Sequence, residues 1–246
     1  WTGAMRGPAF FAYADNYLVD VRSAIIVDVE ASRAVRQAEL GAARTMIDRT
    51  ADRLGLRPER LAGDTAYGSA QMLNWLVEER NIAPHIPVID KSARHDGTFA
   101  REDFRYDHDA DTYICPAGKV LTTSGTLVND GATLLYRGST RDCGACQFKA
   151  RCCPKDPARK IPRSLHEGAR DVARSLAGSP AFEQSRHERK RVEMLFAHLK
   201  RILRMGRLRL RGPSGARTEF LLAATAQNLR KLAKLVPQAT HSAAAT

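Results

Sequence analysis

An acid stands among bases near the end of the chain, in RHERKRVEMLFAHLK, with the spacing Arg189-x3-Glu193-x6-Lys200. That spacing predicts a helix on which Glu193, Phe196 or Ala197, and Lys200 share one stripe, with Arg189 one turn before the acid. A carboxylate in that company suits a metal ligand beside a track of phosphates; the competing reading is a solvated helix face with i,i+4 charge pairing. From Arg186 to Arg211 the bases Arg186, Arg189, Lys190, Arg191, Lys200, Arg201, Arg204, Arg207, Arg209 and Arg211 are opposed only by Glu188 and Glu193. Positive potential is therefore concentrated beside the acid.

Asp64 is the second candidate. It follows the short apolar approach Arg60-Leu61-Ala62-Gly63 and opens Asp64-Thr65-Ala66-Tyr67-Gly68, where a strand meets a loop with a permissive glycine. Strand ends in open α/β sheets release side chains for chemistry, although an Asx turn or a helix cap would use the same residue. Two carboxylates brought together without a Cys or His ligand suit hard divalent cations such as Mg²⁺ or Mn²⁺, which serve phosphoryl transfer. The cysteines offer a different chemistry, as Cys143-x2-Cys146-x5-Cys152 with Cys153 adjacent and Cys115 upstream. Cys115, Cys143, Cys146 and Cys152 would complete four thiolates around structural Zn²⁺. The alternatives are free structural thiols or a redox CxxC, the latter lacking a strand–helix context. His85, His95, His108, His166, His187 and His198 show no mutual ligand spacing, and Trp75 falls at a core position.

The elements that must position these residues follow from periodicity. FFAYADNYLVDV (Phe10 to Val21) and AIIVDVEA (Ala24 to Ala31) predict a hairpin. Val35, Leu40, Ala43, Met46 and Ile47 predict an amphipathic helix from about Arg33 to Arg53. A strand before Asp64, a helix capped by Ser69 and a strand over PHIPVI follow. From Asp90 to about Arg163 periodicity fails, which predicts an irregular insertion carrying all five cysteines. Helix returns from about Leu165 to Leu203, broken near Gly178-Ser179-Pro180, and again from about Ala216 to Leu235; in the latter, Asn228 to Leu232 reads as packing plus phosphate contact. The tail QATHSAAAT predicts disorder.

The length of 246 residues allows one large domain or two modest ones. Its 39 Lys and Arg against 27 Asp and Glu give a formal charge of +12, which favours a polyanionic partner, most simply nucleic acid, over an acidic small molecule. No segment approaches the run of about 18 apolar residues that crosses a bilayer, and no charged-then-apolar leader opens the chain. A cytoplasmic, nucleoid-associated protein with no membrane partner is expected. The opening residue is Trp1 rather than Met, which reads as a fragment or processed piece.

In combination, FFAYADNYLVDVRSAIIVDVEA, GDTAYGS, YICPAGK, CGACQFKARC, RVEMLFAHLK and AQNLRKLAKL resemble the DDE transposases of bacterial insertion sequences. The resemblance implies an α/β, RNase H-like (retroviral integrase-like) fold, a mixed sheet flanked by helices and interrupted by an irregular Cys-rich insertion. It implies residues 1–89 as the first part of the catalytic domain, 90–163 as the insertion, 164–236 as the helical second part and 237–246 as a disordered tail. The family's second catalytic acid falls on Asp64 and its third on Glu193, with basic partners on Arg189 and Lys200 and further DNA contacts from Arg191 and Arg204. Mg²⁺ or Mn²⁺ as cofactor, structural Zn²⁺ on the cysteines, transposon-end and target DNA, and a homo-oligomer when intact are implied with it. The family's first acid lies on a strand just upstream of the hairpin, so that strand is expected to be missing and the fragment to turn over poorly or not at all. Asp15, Asp20 and Asp28 read as second- and third-strand positions instead. Where the family often has a Tyr three residues before the Arg, this chain has Arg186. The rival readings are a non-catalytic DNA-binding remnant and an RNase H-like nuclease.

Overall fold

In the computed structural model, which describes residues 2–4, 7–10, 12–35, 37–89, 94 and 96–235, the two β-rich stretches near the start pair as expected. After a short antiparallel pair, β1 (Thr2–Ala4) and β2 (Gly7–Phe10), come the hairpin strands β3 (Tyr13–Asp20) and β4 (Ile25–Arg33). Asp20 makes the turn between them, its carboxylate accepting from the Arg22 and Ser23 amides at 3.1 and 3.2 Å. The register slips between Leu18 and Val19, which pair with Asp28 and Ile26 respectively. Val27 is thus an extra residue, and the bulge puts Ile26 and Val29 on one face although they are three apart.

That face packs on the closing helix. Ile26 and Val29 join Ala216, Phe220 and Ala224 in one buried cluster, where burying Phe220 or Ile26 is worth about 1.5–3 kcal/mol each. These three partners lie on a helix running Gly212–Leu235, four residues earlier than its periodicity predicts because Pro213 sits in its first turn, where it has no hydrogen bond to lose. The hairpin's other face receives α1 (Ala38–Leu54), which starts later than expected because β4 runs to Arg33. Arg49 of α1 fixes the contact, reaching Asp28 and Glu30 at 2.7 Å each and the Val29 carbonyl at 2.9 Å.

The rest of this unit is β5 (Arg60–Ala62), paired in parallel with β6 (Ala83–His85), and a long helix over Pro180–Arg201. The strand expected over PHIPVI is shorter and begins a residue earlier. The mixed sheet expected of the catalytic domain is not formed among the described residues, where this unit holds separate two-stranded sheets. The unit comprises Trp1–Tyr67, Ile82–Ile86 and Leu176–Thr246; the expected tail 237–246 lies outside the described residues.

The second unit, Gly68–Asn81 with Pro87–Ser175, corrects the expectation of an irregular insertion. After α2 (Ala70–Asn74), capped by Ser69 as expected, it builds a five-stranded antiparallel meander. The strands are β7 (Arg105–Asp107), β8 (Thr112–Ile114), β9 (Val120–Val128), β10 (Thr133–Arg137) and β11 (Lys160–Ser164), with α3 (Thr140–Gly144) and α4 (Lys149–Cys152) between the last two and α5 (Glu167–Leu176) after them. The helix over Pro180–Arg201 is accordingly α6 and that over Gly212–Leu235 is α7. Phe104, Tyr113, Leu121, Tyr136 and Ile161 form the core of the meander. Buried Arg163 braces it, donating to the Tyr113 hydroxyl at 3.2 Å and to Asp171 at 3.0 Å while lying 3.6 Å over the Tyr106 ring. Among the described residues no helix is long and apolar enough to cross a membrane.

Candidate active site

Asp64 is placed by close packing beneath it. Gly63 continues β5 by donating to the His85 carbonyl at 3.4 Å. A Cβ there would stand 3.2 Å from Ile86 and 3.3 Å from the Tyr67 ring, so a larger residue would push the loop away. Asp64 Oδ1 accepts from the Ala66 amide at 2.8 Å and its carbonyl accepts from Tyr67 at 3.2 Å, which makes the short turn Thr65–Tyr67. The Asx-turn role is therefore real, and the carboxylate is nonetheless exposed. Burial, then the charges of Glu39 and Asp64, pushes the Tyr67 phenol up to about 12.

Ser179 caps α6 by accepting from the Phe182 amide at 3.2 Å, with Pro180 in the first turn. The helix then turns one side to β5 and β6. Ser185 meets His85 Nδ1 at 2.7 Å, Glu188 pairs with Arg60 at 3.2 Å and accepts from Gln184 at 2.9 Å, and Arg189 donates to the Gly63 carbonyl at 3.1 Å. The Gln184 hydrogen bond and the Arg60 charge hold the Glu188 carboxyl below its ordinary value despite burial. Burial, then the Arg60 charge, holds His85 below the ordinary imidazole value. Arg189 thus ties α6 to the residue preceding Asp64, and Glu193 lies one turn further along, about 6 Å of helix rise.

Glu193 and Lys200 are exposed, as the stripe reading requires, whereas Phe196 of the same stripe stacks on Tyr17 with ring centroids 4.9 Å apart. Arg191 is committed to structure, donating to the Val21 and Arg22 carbonyls at 3.3 and 3.5 Å in the hairpin turn. Arg204 is exposed just beyond the helix in a left-handed conformation, φ 53°. Among the described residues no three His, Cys, Asp or Glu side chains are grouped to hold a metal ion. Asp28 is paired with Arg49 and Asp20 is used in its turn. Asp15 is different: both carboxylate oxygens are buried without a hydrogen-bond partner, and burial pushes its pKa up to about 7, the nearby Tyr17 hydroxyl offsetting part of the rise.

That displacement has a sign. A carboxyl raised from 3.8 to about 7 on folding favours the fold below 3.8, and the contribution is lost as pH rises through 7. Three pKa units would be worth about 4 kcal/mol, and water at the partly open side chain screens much of that. Asp15→Asn is expected to stabilise the protein by about 1–2 kcal/mol at pH 8 and by almost nothing near pH 4, measured by urea unfolding. Equal effects at both pH values would refute it.

The five cysteines come together in the second unit, all lining one cavity of about 30 Å³. Cys115 Sγ accepts from the Lys119 amide at 3.3 Å and Cys146 Sγ from the Phe148 amide at 3.4 Å. Gly138 leaves room for the cluster, since a Cβ there would lie 3.1 Å from Cys143 Sγ. Burial, then the neighbouring Cys153, pushes the Cys152 thiol up to about 11, and burial raises Cys143. Cys153, left out of the expected ligand set, is buried in the same place.

Sequence reasoning missed the contacts that orient α6 and α7. His85, expected only as a surface or core residue, pairs with Ser185, and Arg60 pairs with Glu188, partnerships that residue spacing does not signal. Asn228, expected as packing plus phosphate contact, has a packing role: it clamps Ile26, accepting from its amide at 2.9 Å and donating to its carbonyl at 2.8 Å.

A mixed α/β chain with an exposed acid after a parallel strand and a second on a basic helix anchored beside it is the class of protein described by this geometry. Residues 114–233, just under half of the chain, match the family model described as a transposase DDE domain, which supports an insertion-sequence DDE transposase. The match includes Glu193 and all five cysteines and leaves Asp64 outside it. No curated protein and no solved structure matches the chain.

Proposed function

We propose that this chain is part of the catalytic domain of an insertion-sequence transposase, with Asp64 and Glu193 as two of the acids that hold Mg²⁺ or Mn²⁺. The observation that carries this reading is the Arg189–Gly63 hydrogen bond of 3.1 Å, which ties the turn before Glu193 to the loop of Asp64. Both donors are exposed oxygen ligands, the type hard divalent cations take. When bound, the metal activates an attacking oxygen and stabilises the leaving one. Lys200 and Arg204 are exposed for phosphate contact. Arg189 acts by positioning the loop, and Arg191 by holding the hairpin turn. The arrangement we favour is RNase H-like; Asp20 and Asp28, engaged elsewhere, do not supply its first acid. The intact protein would act as an oligomer on transposon-end and target DNA beside the nucleoid. Asp64→Asn and Glu193→Gln are each expected to weaken Mn²⁺ binding at least about tenfold, measured by titration calorimetry. Unchanged binding in both variants would refute the assignment.

The Asp64–Ala66 hydrogen bond of 2.8 Å favours a second reading, in which the acids are structural and the chain only binds DNA. In that case both variants would keep DNA affinity and lose stability instead.

Structural Zn²⁺ on Cys115, Cys143, Cys146 and Cys152 is proposed because all four line one cavity; their sulfurs are not grouped as a metal site among the described residues and would have to close on the ion. Two of the sulfurs, those of Cys115 and Cys146, accept amide hydrogen bonds. Zinc, when bound, supplies a cross-link between the Cys115 turn and α3–α4. Because burial raises Cys143 and Cys152, binding must expel protons, and affinity is expected to fall steeply below neutral pH. Purified protein should carry one zinc per chain with its thiols slow to react; metal-free protein with all five thiols reactive would contradict this.

A further inference from the structure

The second unit contains a cationic cleft of about 600 Å³ that the expected site residues do not include. Arg94, Arg101, Arg159, Lys160 and Arg170 line it, with Glu167 the one carboxylate among the described lining residues. Glu167 is buried and already shared, at 3.0 Å from Arg101 and 2.9 Å from Arg170. It has no charge left to balance the others.

Arg159 makes the imbalance acute. It is 6% exposed, and its terminal nitrogens donate to neutral carbonyls of Cys152 and Phe99 at 2.9 and 2.8 Å. Its Nε is buried without a partner, as is that of Arg170. Burial, and after it the charge of Arg94, pulls the Arg159 pKa down, outweighing the opposing charge of Asp103. Arg94 and Lys160 are exposed; Arg94 donates to the Thr98 hydroxyl at 3.1 Å, and among the described residues their carboxylate partners are Asp96 at 4.0 Å and Asp156 at 3.6 Å. Among the described lining residues none is aromatic, so none of them would stack on a base.

We infer that this cleft binds the phosphate backbone of a DNA strand, giving the second unit a nucleic-acid contact of its own. The inference rests on the transposase reading and adds a place on the insertion where the DNA is held without reading its sequence.

The test compares two charge reversals in the full chain by fluorescence anisotropy with a labelled duplex across a salt series. Arg94→Glu/Lys160→Glu alters the cleft through exposed side chains; Lys200→Glu/Arg204→Glu alters the α6 end. The cleft variant is expected to weaken binding at least about tenfold and to flatten the slope of log affinity against log salt by about 2. Unchanged affinity and slope in that variant, with loss in the α6 variant, would overturn the cleft and leave the transposase reading intact. No change in either variant, or no DNA binding at all, would overturn both. Inorganic phosphate raising the melting temperature of the parent but not of the cleft variant, with DNA affinity unaltered, would assign the cleft to a small phosphate and overturn its role on DNA.

Discussion

Glu167→Gln is expected to destabilise the second unit by about 3–5 kcal/mol, the loss that follows when one partner of a buried ion network is neutralised. Glu167 is 1% exposed and touches Arg101 at 3.0 Å, Arg170 at 2.9 Å and Arg174 at 2.9 Å. Glutamine preserves the volume and an acceptor but leaves three guanidiniums around a neutral group. The same guanidiniums hold other parts of the unit, since Arg170 also donates to the Ile89 carbonyl. Asp171 supplies the comparison: it pairs with Arg163 at 3.0 Å and Arg174 at 2.6 Å but has 32% of its side chain exposed. Asp171→Asn should therefore cost less than half as much. Urea unfolding with unchanged denaturant slope is the measurement, and a loss below about 1 kcal/mol for Glu167→Gln would show that the network is not load-sharing.

Gly68→Ala is expected to cost about 3 kcal/mol or more, for a reason of space. A Cβ on Gly68 would lie 2.0 Å from the Pro87 carbonyl oxygen and 2.9 Å from the Ile89 amide nitrogen. These are backbone atoms, and Ile89 donates to the Gly68 carbonyl at 3.0 Å, so the two segments cannot separate without losing that bond. Sequence reasoning attributes this glycine to conformational freedom, whereas the structure requires close approach. Gly41→Ala is the matched control: it lies within α1 with nothing within 4 Å of the added carbon, and should stabilise by about 0.5–1 kcal/mol. Thermal unfolding of the two variants should move in opposite directions.

What was legible in the sequence depended on length and periodicity. The β3–β4 hairpin, α1 and α6 run long enough for apolar spacing to show, and Ser69 and Ser179 mark their helix starts by cap chemistry. The meander was hidden because β7 and β8 have three residues each and its core mixes in tyrosines, Tyr106, Tyr113 and Tyr136, whose hydroxyls find polar partners. Asp64 and Glu193 were legible as an acid at a strand end and an acid among bases. Their connection was not, because it depends on Arg189 reaching a backbone carbonyl 126 residues away, and a carbonyl has no signature in the sequence. Cys153 was passed over because only the CxxC spacing points to ligands, while burial decides which thiols share a cavity.

The most direct test of the central claim is cleavage of the backbone by Fe²⁺ substituted for the native ion, with ascorbate and peroxide, followed by mapping of the cuts. If Asp64 and Glu193 share one metal, cuts will cluster near Gly63–Asp64 and near Glu193, and each cluster will disappear in both Asp64→Asn and Glu193→Gln. Cuts confined to one of the two segments, or clusters that survive both substitutions, would show that the acids do not hold a common ion.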